Sequence, residues 1–437
     1  MLLRDADVHE SHIKEVRSTD IQQIPFGRRI NNMKSNLLPL LLLPAALLSS
    51  ALAQEACIQG ENCKRPDCVC ASTDNPIAPL PLEFMPQFVV VSVNDAITVT
   101  NFRFYKELVS TFRNPNGCRM SMTAFLTHLN TDYALANELW RLGSEIGVRS
   151  VTSSPVPYWK KANYSVWYNE FSEAKKMIHN FARVPEDEII GTRALHMEVG
   201  GDEMYSALRD AGYKYDSSWT ALDYTNWYEK SKGALYPYTL DFQSPQVPHD
   251  CSVGRCPENT YDGLFVTPVL DLKSIYGDPC NMVDACQSTF NDTDCPEQRC
   301  EDRVFQFLKE NFEYNYLGNR APFGLHTLPA WFESDKNVKS TAHWNGYKRF
   351  LQYVQDLGDV WIVSQNKVVE YMKNPVPQGD VGQLEAFQCP TIDPDTNCPA
   401  PMGCEYDSYP GSGKITIRIC SRPCPTTYPW LGNPTGN

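Results

Sequence analysis

The sequence predicts an α/β fold in which parallel strands alternate with helices to form a closed or nearly closed barrel, flanked by disulfide-rich segments. Its 437 residues are 42% hydrophobic and 21% charged, the composition of an ordinary globular protein, which excludes disordered, collagen-like and coiled-coil classes. Short β-branched and apolar runs alternate with amphipathic helical patterns, as in βα units. The 16 cysteines concentrate near both ends and in one central segment.

The individual elements follow from these patterns in chain order. The strands are predicted at 88–93, 120–127, 148–152, 188–193, 213–217, 264–270, 323–328 and 359–364. The helices are predicted at 102–112, 134–142, 166–182, 203–211, 303–312 and 347–357. Seven or eight such units within roughly 290 residues favour a barrel over an open doubly wound sheet. Chemistry in a barrel is carried by side chains at the C-terminal ends of the strands, so candidate site residues are sought there.

The first 53 residues have the features of an export signal. An apolar run at 37–48 follows Lys34 and precedes Ala51-Leu52-Ala53, a cleavage-type sequence. The run is too short to span a bilayer, so no membrane anchor is predicted. Residues 1–32 are interpreted as a gene-model extension and 33–53 as the signal peptide, the alternative being a long N-terminal region of one signal. The mature chain is expected to begin near Gln54.

The cysteines indicate an oxidising compartment, because all 16 follow the predicted signal and an even number allows full pairing. Segments 54–80 and 376–437 are predicted as cysteine-rich flanks around a barrel domain at 81–375. Two glycosylation sequons, at Asn163 and Asn291, agree with a secreted protein. The net charge of −13, without any basic run, excludes a nucleic-acid partner.

Strings spread over the whole chain carry a family resemblance. They are VSVNDA at 91–96, GSEIGVRSVTS at 143–153, ENCK at 61–64, NPNGC at 114–118, YPYTLD at 236–241, RAPFGL at 320–325, DVWIV at 359–363 and YPW at 428–430. The first two resemble degenerate copies of the first two motifs of polysaccharide deacetylases, and the full set resembles the arthropod type of chitin deacetylase. Fourteen cysteines also match the family's positions, and the two others, Cys295 and Cys300, are candidates for an added disulfide.

The resemblance implies a distorted β/α barrel that removes N-acetyl groups from chitin. In active relatives it implies a Zn²⁺ held by one Asp and two His, an Asp base and a His acid. Here Asn94 stands at the base position, Asp95 keeps its ligand position, Arg149 and Ser153 replace the two His ligands, and Leu328 replaces the acid. Asn is not a base, and Arg and Ser do not hold Zn²⁺, so no catalytic residue and no cofactor are expected.

Several other residues are assigned through the same motifs. Arg193, which would orient the base, and Asp216, which would steer the acid, are retained. Trp219 and Arg193 are predicted to contact sugar in the binding groove. An alternative is a shifted metal site of Asp95, His196 and His326.

Arg149 has two possible roles. In the first, its guanidinium fills the position of the missing metal and pairs with Asp95. In the second, the side chain is turned out to solvent.

The predicted function is binding without catalysis. We expect a secreted, inactive chitin deacetylase-like protein that binds chitin or a related N-acetylglucosamine polymer in an extracellular matrix of the peritrophic or cuticular kind. Two alternatives remain open at this point: weak metal-dependent deacetylation through the shifted site, and binding of another glycan or of a protein. The excess of negative charge suits an uncharged polymer, which requires no basic groove.

Overall fold

The computed structural model describes residues 56–221, 233–246, 253–286, 297–332, 338–391, 394–410 and 413–437. All of them lie in one compact unit, Glu55–Asn437. The predicted extension at 1–32 and signal peptide at 33–53 fall outside the described residues, as do Cys251, Asn291 and Cys295.

Fifteen strands and eight helices are described. The strands are β1 (Gln87–Asn94), β2 (Thr123–Thr127), β3 (Glu145–Ser150), β4 (Gly191–Thr192), β5 (Val199–Gly200), β6 (Tyr215–Asp216), β7 (Tyr238–Leu240), β8 (Gly254–Arg255), β9 (Tyr261–Val266), β10 (Leu272–Lys273), β11 (Pro279–Cys280), β12 (Phe323–Thr327), β13 (Val360–Val363), β14 (Met402–Tyr406) and β15 (Ile415–Ile419). The helices are α1 (Val99–Thr111), α2 (Tyr133–Arg141), α3 (Val156–Lys160), α4 (Tyr164–Ala182), α5 (Gly201–Asp210), α6 (Glu297–Leu317), α7 (Val338–Asp356) and α8 (Gln365–Lys373).

The main sheet confirms the predicted α/β barrel-like fold. Its strand order is β12-β1-β2-β3-β4-β6-β9-β7, and every pairing is parallel except that between β7 and β9. Strand β13 shares one edge of β1 with β2: β13 pairs with Gln87–Val90 and β2 with Ser92–Asn94. The barrel is distorted here, because β13 and β2 each pair with only part of the same edge of β1.

The N-terminal flank fills the seam between β7 and β12, which do not pair with each other among the described strands. Val69 exchanges hydrogen bonds with Thr239 of β7, and the amide of Tyr236 donates to Ser72. On the other side of the seam, the side chain of Asn319 donates to Thr73. The N-terminal flank therefore occupies the position between β7 and β12 where a further strand would close the barrel.

The boundaries of some elements differ from the prediction. The third strand begins three residues earlier than predicted, at Glu145, and the sixth predicted strand ends at Val266 rather than 270. Strand β7 and helix α8 were not predicted. Three residues are too few to show the two-residue alternation of a strand, which explains the omission of β7.

Disulfides brace both flanks, as the cysteine clusters predict. The described pairs are Cys57–Cys70, Cys63–Cys68, Cys118–Cys389, Cys280–Cys286, Cys398–Cys420 and Cys404–Cys424, and Cys256 and Cys300 are also disulfide-bonded. Cys118–Cys389 fastens the C-terminal flank to the barrel. None of the helices within the described ranges is both long and apolar enough to cross a membrane.

Candidate functional site

The parallel register brings the substituted motif positions to one end of the barrel. Asn94 is the last residue of β1, Arg149 is the penultimate residue of β3, and Leu328 follows β12 directly. Val93 of β1 is in register with Thr327 of β12. The sequence-predicted positions therefore share one edge, which we call the barrel mouth.

Asn94 is buried and held from two sides. Its Oδ1 accepts a hydrogen bond from Arg193 Nη1 at 3.2 Å, and its Nδ2 lies 3.6 Å from the sulfur of Met282. An amide in this setting has no proton-accepting function of the kind that a carboxylate base supplies. The predicted base position is thus occupied by a fixed, neutral side chain.

Arg193 is fully buried, which corrects its predicted role in sugar binding. Its Nε donates to the carbonyl oxygen of Ser217 at 2.8 Å, Nη2 donates to Ser217 Oγ at 2.7 Å, and Nη1 also donates to Ser92 Oγ at 2.6 Å. Its guanidinium carbon lies 4.3 Å from the ring centre of Phe125. Burial lowers the pKa of Arg193 to about 9. With these donors engaged inside the barrel, Arg193 is not accessible to a sugar.

Asp216 is buried and bonded within its own motif. Its Oδ1 accepts a hydrogen bond from Ser218 Oγ at 2.5 Å, and its Oδ2 accepts one from Tyr205 Oη at 3.0 Å. Burial raises the pKa of this carboxyl group. Leu328, at the predicted position of the acid, has no titratable group for Asp216 to steer.

Trp219 does not line a groove, which corrects its predicted role in sugar binding. Its side chain is 1% exposed and packs in the hydrophobic core, with its ring centre 6.3 Å from that of Tyr205. A sugar ring needs an accessible aromatic face, and that face is covered here.

The two histidines of the alternative metal site differ in their exposure to solvent. His326 is buried, its Nδ1 lies 2.7 Å from Ser92 Oγ, and burial together with the charge of Arg193 lowers its pKa well below the usual value. His196 is exposed, with its Nε2 3.3 Å from the carbonyl oxygen of Ser154. Among the described residues, Asp95, His196 and His326 do not bring their ligand atoms together around one point. The group of ligand atoms that does lie close together consists of Cys57, Cys63 and Cys70, which are disulfide-bonded.

A disulfide-closed loop covers part of the barrel mouth. This mouth loop, residues 279–286, is closed by Cys280–Cys286. Its Met282 contacts Asn94, and its Asp284 accepts a hydrogen bond from the amide of Leu328 at 2.8 Å. The loop was missed by the sequence reasoning, although a Met and an Asp between two closely spaced cysteines are a signal that could have indicated it.

Arg149 is turned into the mouth rather than out to solvent. Its Nε is buried without a hydrogen-bond partner among the described residues. Burial lowers the pKa of Arg149, and the charges of Asp95 and Asp284 oppose that shift. Within the described part of the chain no salt bridge joins Arg149 to either carboxylate, so the hypothesised ion pair with Asp95 is not formed.

Asp95, at the one predicted ligand position that keeps its residue type, has a left-handed backbone with φ of 107°. Its Oδ1 accepts hydrogen bonds from the amide of Ala96 at 2.8 Å and from Thr127 Oγ1 at 3.1 Å. Ser153 is exposed in the loop that follows β3. A Zn²⁺ site does not fit these residues, because a guanidinium stands near the single carboxylate ligand.

Comparison with known proteins gives the family. No protein-family model matches the chain. Chitin deacetylase 8 of Bombyx mori is 33% identical over 378 residues, covering 86% of this chain and 92% of the relative. Chitin deacetylase 1 of Bombyx mori is 30% identical over 391 residues, covering 86% of this chain and 68% of the relative.

Two solved structures show a weaker similarity. A family 4 carbohydrate esterase from Streptomyces lividans, in complex with acetate, is 13% identical with a TM-score of 0.31, over 63% of this chain and 91% of that one. The chitin deacetylase of Colletotrichum lindemuthianum is 14% identical with a TM-score of 0.26, over 55% and 86%. These scores are too low to carry an argument, whereas the Bombyx mori relatives are sufficient: the chain belongs to the chitin deacetylase family.

Proposed function

We propose that this protein is secreted and binds chitin or a related N-acetylglucosamine polymer in an extracellular matrix, without hydrolysing the N-acetyl groups and without a metal cofactor. The observation that carries the proposal is the barrel mouth itself. Asn94 and Leu328 stand at the two proton-transfer positions, and Arg149 stands at a ligand position with its side chain turned inward.

The size of the catalytic loss supports the absence of turnover. General acid or base catalysis contributes roughly 10² to 10⁴ in rate for each group, and polarisation by a metal adds several kcal/mol. Asn94 cannot accept the proton of an attacking water, and Leu328 cannot protonate a leaving amine. The buried state of His326 argues against its recruitment as a substitute ligand.

Other features support secretion and binding. The cysteines within the described ranges are all disulfide-bonded, which is typical of proteins in an oxidising compartment. Asn163 of the first sequon is exposed at the start of α4, where a glycan has access. The relatives are named for chitin, and a net charge of −13 suits a neutral polymer better than an anionic one.

Two assays on one preparation test the proposal. Recombinant protein from Gln54 onward is expected to sediment with chitin and to release no acetate from chitin oligosaccharides, with or without added Zn²⁺, Co²⁺ or Ni²⁺. Acetate release that His326→Ala abolishes would instead indicate the shifted-site enzyme. Failure to bind chitin would favour another glycan or a protein as the partner.

A further inference from the structure

The Arg149 guanidinium at the barrel mouth has a donor without an acceptor. Its Nε is buried and has no hydrogen-bond partner among the described residues. A buried charged donor that lacks an acceptor is costly, and such groups in native proteins call for an explanation. A bound ligand that brings an acceptor atom is one such explanation.

The surrounding charges restrict the kind of acceptor. Asp95 and Asp284 are the carboxylates that interact electrostatically with Arg149. Each already accepts hydrogen bonds from its own neighbourhood: Asp95 from Ala96 and Thr127, and Asp284 from the Leu328 amide. An anion would lie close to two carboxyl groups here, so a neutral oxygen is favoured.

The mouth is accessible to such a group. Asp95 is exposed, while Arg149, Asp284 and Leu328 are partly exposed. A polymer of N-acetylglucosamine offers hydroxyl oxygens, ring oxygens and the carbonyl oxygen of the acetamido group. The carbonyl is the neutral acceptor best matched to a charged N–H donor, and the amide N–H beside it can donate to a carboxylate.

We propose that Arg149 determines specificity for acetylated sugar, by donating an N–H to the carbonyl oxygen of an N-acetyl group held at the barrel mouth. The assignment rests on the proposed function. A deacetylated unit lacks the carbonyl, so it loses the hydrogen bond that Arg149 donates.

The test measures binding of N-acetylchitohexaose and of fully deacetylated chitohexaose by calorimetry. The wild type is expected to prefer the acetylated ligand. Arg149→Met keeps the aliphatic stem but removes the donors, and should weaken binding of the acetylated ligand by roughly 10- to 100-fold while leaving the deacetylated ligand unaffected or tighter. Arg349→Met, at an exposed arginine on α7, is the matched control and should change neither affinity.

The outcomes separate the two levels of the proposal. A wild type that binds neither oligosaccharide overturns both the proposed function and this assignment. A wild type that binds, with an unchanged ratio of affinities in Arg149→Met, overturns the assignment alone. If Arg149→Met does not fold, Arg149→Lys serves instead: it keeps the charge but not the planar donor array, and should reduce the preference for the acetylated ligand.

Discussion

Replacing Glu145 by glutamine is expected to remove a pH-dependent loss of stability. Glu145 is 3% exposed at the start of β3, at the opposite end of the strand from the mouth. Its Oε2 accepts hydrogen bonds from Thr123 Oγ1 at 2.8 Å and the Asn366 amide at 3.0 Å, and Oε1 accepts one from Tyr215 at 2.8 Å. Burial raises its pKa from 4.5 to about 7, against the opposing effect of these hydrogen bonds.

The sign and size follow from proton linkage. Because the folded state of Glu145 has the higher pKa, it binds a proton that the unfolded chain has released, and stability falls as the pH rises from 4.5 to about 7. At about 1.36 kcal/mol for each pKa unit, the full effect is about 3 kcal/mol. With an unfolding entropy of about 2.1 cal/mol/K per residue over roughly 380 residues, this corresponds to about 4 °C in Tm.

The assay is thermal unfolding of the wild type and Glu145→Gln at pH 5, 6, 7 and 8. The Tm of the variant minus the Tm of the wild type should rise by about 3 °C between pH 5 and pH 8. This is less than the full effect of about 4 °C because part of the wild type's loss of stability occurs below pH 5. Taking the difference cancels other groups such as His128, whose pKa burial lowers to about 4. Parallel Tm profiles for the two proteins would refute the reasoning.

Three further changes test other parts of the structure. Trp219→Ala should lower the free energy of unfolding by about 3–5 kcal/mol, as for other buried aromatics. Trp219→Phe should leave sedimentation with chitin unchanged. Loss of binding by a stable Trp219→Phe would show that Trp219 contacts the sugar after all. Removing Cys118–Cys389 with the double alanine variant should cost about 5 kcal/mol, because the bond joins residues 271 apart, and a Tm within 1 °C of the wild type would contradict this. Asn94→Asp should release no acetate, since ligands and acid are still missing, and any measurable release would contradict the mouth geometry.

The location of the site could be predicted from sequence because it depends on strand ends. Once β1, β3 and β12 are parallel strands of one barrel, Asn94, Arg149 and Leu328 must lie at the same end of it. The same local reasoning failed for Trp219, because whether an aromatic after a strand faces the groove or the core depends on packing against residues such as Tyr205 on another element.

The covering of the site could not be predicted. Met282 reaches Asn94 across 188 positions of sequence, and no local pattern encodes that contact. The charge of Arg149 and its place at the mouth follow from the sequence. Whether its guanidinium reaches a carboxylate depends on how the side chains pack at the mouth, so the absence of an ion pair required the structure.

The seam filled by the N-terminal flank has a consequence for how the chain reaches its native state. Val69 finds Thr239 across 170 positions, and Arg65 donates to Met372 across 307. Contacts between such distant segments form slowly, because the entropy of closing long loops is lost before the contacts are gained. Arg65 cannot form its contact until Met372 has been synthesised, so completion of the barrel belongs to the last stage of folding.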